Sequence, residues 1–379
     1  MALMLVLFMA LFTSFQNLLG GDNYFWSNNR PYTYYNNFVI FRQSFLNLLH
    51  DKNLYAPHLD VYADLFKYSP AFALMMAPLQ LLPVWAGLIL WNLAGGLLII
   101  LGLKSIIPDK KIFLFLLVLL IPETFTSMSN SQSNNHIAGL LLLAFGSLEK
   151  DRPFNAAFFV MLTVFIKLFT LVFLPLLILY PRKEKTGVWL VVWFIVLGFS
   201  PALLTGLDTL LWQYSNWLEM LRNDHSISTG IGLQGLAEAL GGVPLNKNLV
   251  LVFGALLLGL PLLNIRCFSQ STFRHLYFAL TLLWMVLFNH KAESPTFIIV
   301  MCGVVLFAAA LKFNTAAKFF LITCTVFTSL AVTDLVPHEI RKTVVQPYCL
   351  KALFPSLLML YLVVLLLSYK PKQQISDTK

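Results

Sequence analysis

Long apolar runs, separated by short basic connectors or by loops rich in Tyr, Asn and Asp, set the pattern of this 379-residue chain. Runs near 2–19, 84–103, 111–127, 135–148, 187–206, 248–265, 274–289, 294–311, 316–333 and 351–369 predict membrane helices, several of them short of the ~20 residues an ordinary span needs. The stretch Phe154–Pro181 behaves differently. It is 28 residues long and carries Lys167 at its centre. As one helix at ~1.5 Å per residue it would reach ~42 Å, too long for one span. Both flanks are basic, Lys150 and Arg152 before it and Arg182, Lys183 and Lys185 after it. Basic residues gather on the cytoplasmic side, so both ends belong on one side. The stretch 154–181 therefore predicts a re-entrant hairpin that turns near Lys167. An ammonium at such depth costs at least ~2.5 kcal/mol to insert and marks a functional site by default.

Composition agrees with this pattern: 58% of residues are hydrophobic and only 11% charged, which excludes a soluble globular domain. The first run lacks a basic leader and a small-residue cleavage site, so it predicts a retained helix. Of the 26 Lys and Arg residues, 15 fall in segments assigned to the inner side, with only five of the 17 acidic residues. The net charge of +9 is thus a positive-inside signature and not a nucleic-acid footprint. Both termini fall inside. Pro70–Leu82 is apolar but short, and predicts an interfacial or re-entrant helix on the outer side. The four cysteines suggest neither a disulfide framework nor a zinc site.

The outer loops then carry the candidate chemistry. In the first, 21–68, Phe38, Phe41, Phe45, Leu48 and Leu49 recur at helical spacing, so 36–50 predicts an amphipathic helix on the membrane surface. The same loop holds Asp22, Arg30, Arg42, Asp51, Asp60, Asp64 and Lys67. The loop 207–246 brings Trp212, Tyr214, Trp217, Asp224 and His225. Pro122–His136 brings Glu123, Ser131, Gln132, Asn134 and Asn135. A short turn, Asn289 to Pro295, gathers His290, Lys291 and Glu293. Cationic groups can neutralise a phosphate, and a carboxylate can deprotonate an attacking hydroxyl.

Several segments taken in order carry a resemblance. These are Asn37 to Phe41, Lys52 to Tyr55, Phe66-Lys67-Tyr68-Ser69-Pro70 and Ala77 to Pro83, followed by Gln132 with Asn134 and Asn135, Ile166-Lys167, and His290 to Pro295. Together they resemble glycosyltransferase family 87 over roughly residues 1–310. No single motif is specific; order and spacing carry the likeness. The resemblance implies an all-α, polytopic membrane bundle of GT-C type, with 11–13 transmembrane or re-entrant helices in a single domain over 1–379 and outer loops carrying the site. It implies a hexosyltransferase of the cytoplasmic membrane, with its active site facing outward. The donor would be a polyprenyl-phosphate hexose, typically mannose, and the acceptor a lipid-linked or glycan hydroxyl, with inversion and with neither cofactor nor metal. Asn37 stands where the family has the Asp thought to be the general base, and an amide cannot accept that proton. Another carboxylate then takes its place, Asp60 or Asp64 ahead of Glu293, unless transfer activity has been lost; His290 is the other catalytic residue. Lys167, Lys291, Gln132, Asn135, Asn37, Tyr68 and Arg42 are assigned to substrate binding. Two rival readings stand beside this one. One is a transporter or flippase of a lipid-linked substrate, although the repeated halves such proteins usually show are not seen. The other is a non-catalytic lipid-binding homologue, suggested by Asn37. Sugar transfer by purified protein separates all three.

Overall fold

The computed structural model describes residues 1–20, 25–27, 29–223, 230–242 and 245–370. Asp22, Asp224, His225 and the tail beyond Lys370 lie outside the described residues. Helix dominates. Among the described residues the strands are Phe25–Ser27 and Arg30–Tyr32, an antiparallel pair in the first loop. Among the described residues, four helices are long and apolar enough to cross a membrane: Ala2–Leu19, Val84–Ile106, Lys247–Ser269 and Leu350–Leu367. Two bent pairs and five shorter apolar helices accompany them. The chain is an all-α, multi-pass membrane protein, and it divides into two compact units, Met1–Ile227 and Ser228–Lys379.

In the first unit, Val84–Ile106 packs closely along Asn134–Glu149. A Cβ on Gly139 would overlap the Leu98 carbonyl carbon, and one on Gly102 would sit 2.7 Å from the Gly139 oxygen. Small residues let membrane helices approach this closely, which maximises dispersion contact where no water drives association. Ala2–Leu19 joins the same pair through the buried Asn92, whose amide donates to Ser14 Oγ at 3.1 Å and Thr13 Oγ1 at 3.3 Å.

Two breaks change the sequence reading. The run predicted as one span over 111–127 is two helices, Lys110–Leu119 and Ile121–Ser129, bent by 48°. Pro122 has no N–H to continue the first helix and sits comfortably in the first turn of the second. Between Lys183–Phe199 and Ala202–Asn223 the chain bends by 93°, and Gly206, at φ 77° and ψ 168°, breaks the helical backbone there. Residues 207–223, which the sequence places in a loop, are therefore helical. Leu210, Gln213, Trp217 and Met220 form the buried face of that helix. Gln213 accepts from Leu54 N (3.1 Å) and donates to Lys52 O (2.7 Å), while Trp217 Nε1 donates to Lys67 O (3.2 Å). The second outer element thus pins the first.

The stretch 154–181 also has defined ends. Pro153–Ile166 is helical, Lys167 is extended (φ −143°, ψ 123°), and the chain resumes as the helical turns Leu168–Phe173 and Leu174–Ile178. Beyond them the flanks meet: Arg182 pairs with Asp151 at 2.9 Å and the Tyr180 hydroxyl donates to Glu149. In the second unit Asn264 donates to the carbonyls of Leu366 (3.1 Å) and Tyr369 (2.7 Å). The Arg182–Asp151 pair joins segments that the charge count assigns to one side.

Candidate functional site

In the first unit the site starts from an aromatic platform. Asn36–Leu49 forms as its periodicity predicts, but Phe38, Phe41 and Leu48 are buried in protein, while Phe45 is half-buried and Leu49 exposed. The packed face is therefore the inward part of the apolar stripe. Phe41 meets the rings of Tyr68, Phe72 and Trp91 at 4.9, 5.3 and 5.4 Å, edge to face. Trp91 in turn stacks on His136 at 3.8 Å and donates from Nε1 to Ser131 O at 3.1 Å. Offset and edge-on aromatic pairs add ~0.5–1.5 kcal/mol each beyond burial, enough to make this platform rigid.

Lys167 stands at the edge of the platform because its helix stops there. Ser69 fixes that stop: its hydroxyl donates to Phe165 O (2.6 Å) and accepts from Phe72 N (3.2 Å), capping the short Pro70–Met75 helix as well. The Lys167 ammonium donates to Asn134 Oδ1 at 3.1 Å and lies 5.8 Å from the Tyr68 ring centroid. The segment beside it is unusually polar for its depth. Ser131, Gln132, Ser133, Asn134, Asn135 and His136 are all buried. Asn135 Nδ2 donates to Thr124 O, but Asn134 Nδ2, Asn135 Oδ1 and the hydroxyls of Ser127, Ser131 and Ser133 make no hydrogen bond among the described residues. Such groups cost ~1–3 kcal/mol each when left unmade.

The first-loop residues divide by what holds them. Asn36 clasps the 60s segment, its amide donating to Ala63 O (3.0 Å) and its carbonyl accepting from Ala63 N (2.9 Å). Asn37 donates to Asn130 O at 2.9 Å. A carboxylate there could not make that bond and would face the carbonyl oxygen instead, which gives a physical reason for the amide. Arg42 donates to the carbonyls of Gln80 (3.0 Å) and Leu82 (2.7 Å), closing the end of the short Ala77–Gln80 helix. Asp64 sits at φ 73°, accepts from Leu65 N at 2.7 Å, and pairs with Lys67 at 3.1 Å, so its charge is locally engaged. Asp60 is exposed, and no described residue forms an ion pair with it. Burial, together with the Asp60 charge, holds the Tyr62 hydroxyl well above the usual phenol range, and it stays protonated.

The second unit holds the His290 turn. Asn289 Oδ1 accepts from Lys291 N at 3.0 Å, and the turn feeds the Ser294–Thr296 and Phe297–Ala310 helical segments. Gly230 and Gly232 lie on its backbone: Ile231 N donates to Ala292 O, and a Cβ on Gly230, at φ 63°, would meet His290 O at 2.8 Å. His290 Nε2 is 3.3 Å from Lys247 Nζ. An ammonium has no lone pair, so it is the donor in this contact. Glu293 is exposed.

Sequence reasoning misses two residues that matter here. Asn134 reads from sequence as part of a helix start, and only the structure shows that it receives Lys167. Lys351 opens the apolar run 351–369, yet it is 3% exposed and its ammonium donates to Ser294 Oγ in the turn. The signal available for it is a single charge at the margin of an apolar stretch, weaker than the charge at the centre of one that exposes Lys167.

The model of glycosyltransferase family 87 matches residues 66–333, and the chain belongs to that family. It is a membrane glycosyltransferase. The match contains Tyr68, Gln132, Asn135, Lys167, His290 and Lys291; Asn37, Arg42, Asp60 and Asp64 precede it and Lys351 follows it. No curated protein matches the chain.

Proposed function

We propose that this enzyme takes a hexose, mannose in the typical case, from a polyprenyl-phosphate donor. It passes the sugar to a hydroxyl of a lipid-linked or glycan acceptor, with inversion at C1, at the outer face of the cytoplasmic membrane. The observation that carries this reading is the seat of Lys167 in the first unit: an ammonium held by Asn134 and Tyr68 beside buried amide and hydroxyl atoms, Asn134 Nδ2 and Asn135 Oδ1 among them, that find no hydrogen-bond partner among the described residues. A polyhydroxylated anion suits both halves of that arrangement. Lys167 neutralises the phosphate, and Gln132, Asn134 and Asn135 offer hydrogen bonds to sugar hydroxyls or phosphate oxygens. Tyr68 and the Asn37 and Arg42 bonds hold the walls. Asp60 is the base: it is exposed and without an ion-pair partner among the described residues, whereas Asp64 is engaged by Lys67. In the second unit, His290 and Lys291 are proposed to form a phosphate-binding pair on their turn. No cofactor is invoked.

The donor assignment is tested by offering the purified enzyme a nucleoside-diphosphate hexose in place of the lipid-linked sugar. Transfer is expected from the lipid donor only; equal transfer from the nucleotide sugar overturns it. The re-entrant reading of 154–181 and the inward position of its flanks make a second prediction. On intact cells, a single cysteine at position 183 resists an impermeant maleimide while one at position 51 is labelled. Labelling at 183 from outside refutes the hairpin.

A further inference from the structure

Lys351 lies in the first turn of the Leu350–Leu367 helix, beyond the residues matched by the family. It is 3% exposed. A buried ammonium is held in place only by strong local interactions, because the cost of taking it out of water is several kcal/mol. Two are visible. Nζ donates to Ser294 Oγ at 3.0 Å, and the same nitrogen lies 5.1 Å from the Phe297 ring centroid. Both contacts fall just after His290 and Lys291 in the chain. The Lys351 backbone is fixed as well: its carbonyl accepts from Thr328 Oγ1 at 2.9 Å, and Cys349 at φ 46° sets the direction in which the helix begins.

The turn is thereby clamped from separate elements. Gly230–Gly232 lies on its backbone, Lys247 reaches His290, and Lys351 reaches Ser294. Lys351 is too buried to touch a ligand directly. We infer that Lys351 is a positioning residue for the His290–Lys291 phosphate site, holding the turn in register through Ser294; the inference rests on the phosphate reading proposed above. A structural charge with no bearing on the site would alter stability alone. A positioning residue alters affinity for the anion, because the donors on the turn no longer point where the phosphate arrives.

The test uses full-length protein in detergent and farnesyl phosphate, a polyisoprenyl phosphate without sugar, in titration calorimetry alongside melting curves. The wild type is expected to bind. Lys351→Met raises Kd by about tenfold, roughly 1.4 kcal/mol, and Ser294→Ala raises it in the same direction. The double variant binds no worse than Lys351→Met, since both changes cut one connection. In turnover, KM for the lipid donor rises while kcat changes less. If the wild type fails to bind farnesyl phosphate, the phosphate reading itself is wrong. If the wild type binds and both variants bind equally well, with or without a lower melting temperature, the Lys351 inference is overturned. Should Lys351→Met not fold, Ser294→Ala decides: an unchanged Kd overturns the inference, a raised one supports it.

Discussion

Replacing Lys167 with Met lowers transfer by about 10²–10³-fold, the range for removing one preorganised charge-stabilising donor, while the protein still folds. Folding survives because an apolar residue at depth is easier to insert than an ammonium, by ~2.5 kcal/mol or more on insertion scales. The substitution removes the bond to Asn134 and the approach to Tyr68; Ser69 still closes the helix stop through Phe165 O. Donor affinity and turnover both fall, as expected of a group that meets the phosphate in the ground state and more strongly as it departs. Steady-state kinetics with a lipid-linked hexose, run beside a melting curve, separate loss of chemistry from loss of fold. Normal turnover in Lys167→Met reduces Lys167 to a structural charge.

The second large effect is expected at Asp60. Asp60→Asn lowers kcat by roughly 10²–10⁴-fold, the span of general-base contributions, and leaves donor binding nearly intact. Asp64→Asn changes kcat only a few-fold, because that carboxylate already answers Lys67 and the Leu65 N–H. Glu293→Gln behaves like Asp64→Asn. Binding measured with the phosphate donor and turnover measured with donor plus acceptor give the two readouts. If all three variants transfer sugar at the wild-type rate, the base lies elsewhere, and Asn37, which donates to Asn130 O, has to be reconsidered.

Much of the fold is legible in the sequence because spans in lipid have few alternatives: backbone groups with no water must bond within their own helix. The runs at 2–19, 84–103 and 351–369 become the helices Ala2–Leu19, Val84–Ile106 and Leu350–Leu367. Bends are harder to see. Pro122 stands in an apolar stretch where hydropathy stays high, so composition merges two helices that backbone hydrogen bonding separates. The helix 202–223 is hidden for the opposite reason: its polar Gln213 and its aromatics look like loop chemistry until Gln213 is seen bonding Lys52 and Leu54. The candidate site is half legible. Lys167 announces itself as a charge in an apolar stretch, and the turn at His290 by its density of titratable groups. Partners are not legible. Nothing in the spacing of Asn134 and Lys167, or of Ser294 and Lys351, shows that they touch, because those contacts cross between helices. Periodicity predicts the apolar stripe of 36–50, but a stripe reads the same whether it faces lipid or the Phe41–Tyr68–Trp91 cluster.

Transfer of a sugar from a lipid phosphate to a hydroxyl on this chain can be measured directly. Purified full-length protein is incubated with a radiolabelled polyprenyl-phosphate mannose and a lipid-linked mannoside acceptor, and the product is resolved by chromatography and by anomeric configuration. A labelled glycan of inverted configuration is expected, formed by the wild type and nearly absent with Lys167→Met and Asp60→Asn. Protein that binds the donor lipid yet releases no labelled glycan with any hydroxyl acceptor tried would contradict this and leave a lipid-binding or lipid-moving protein in its place.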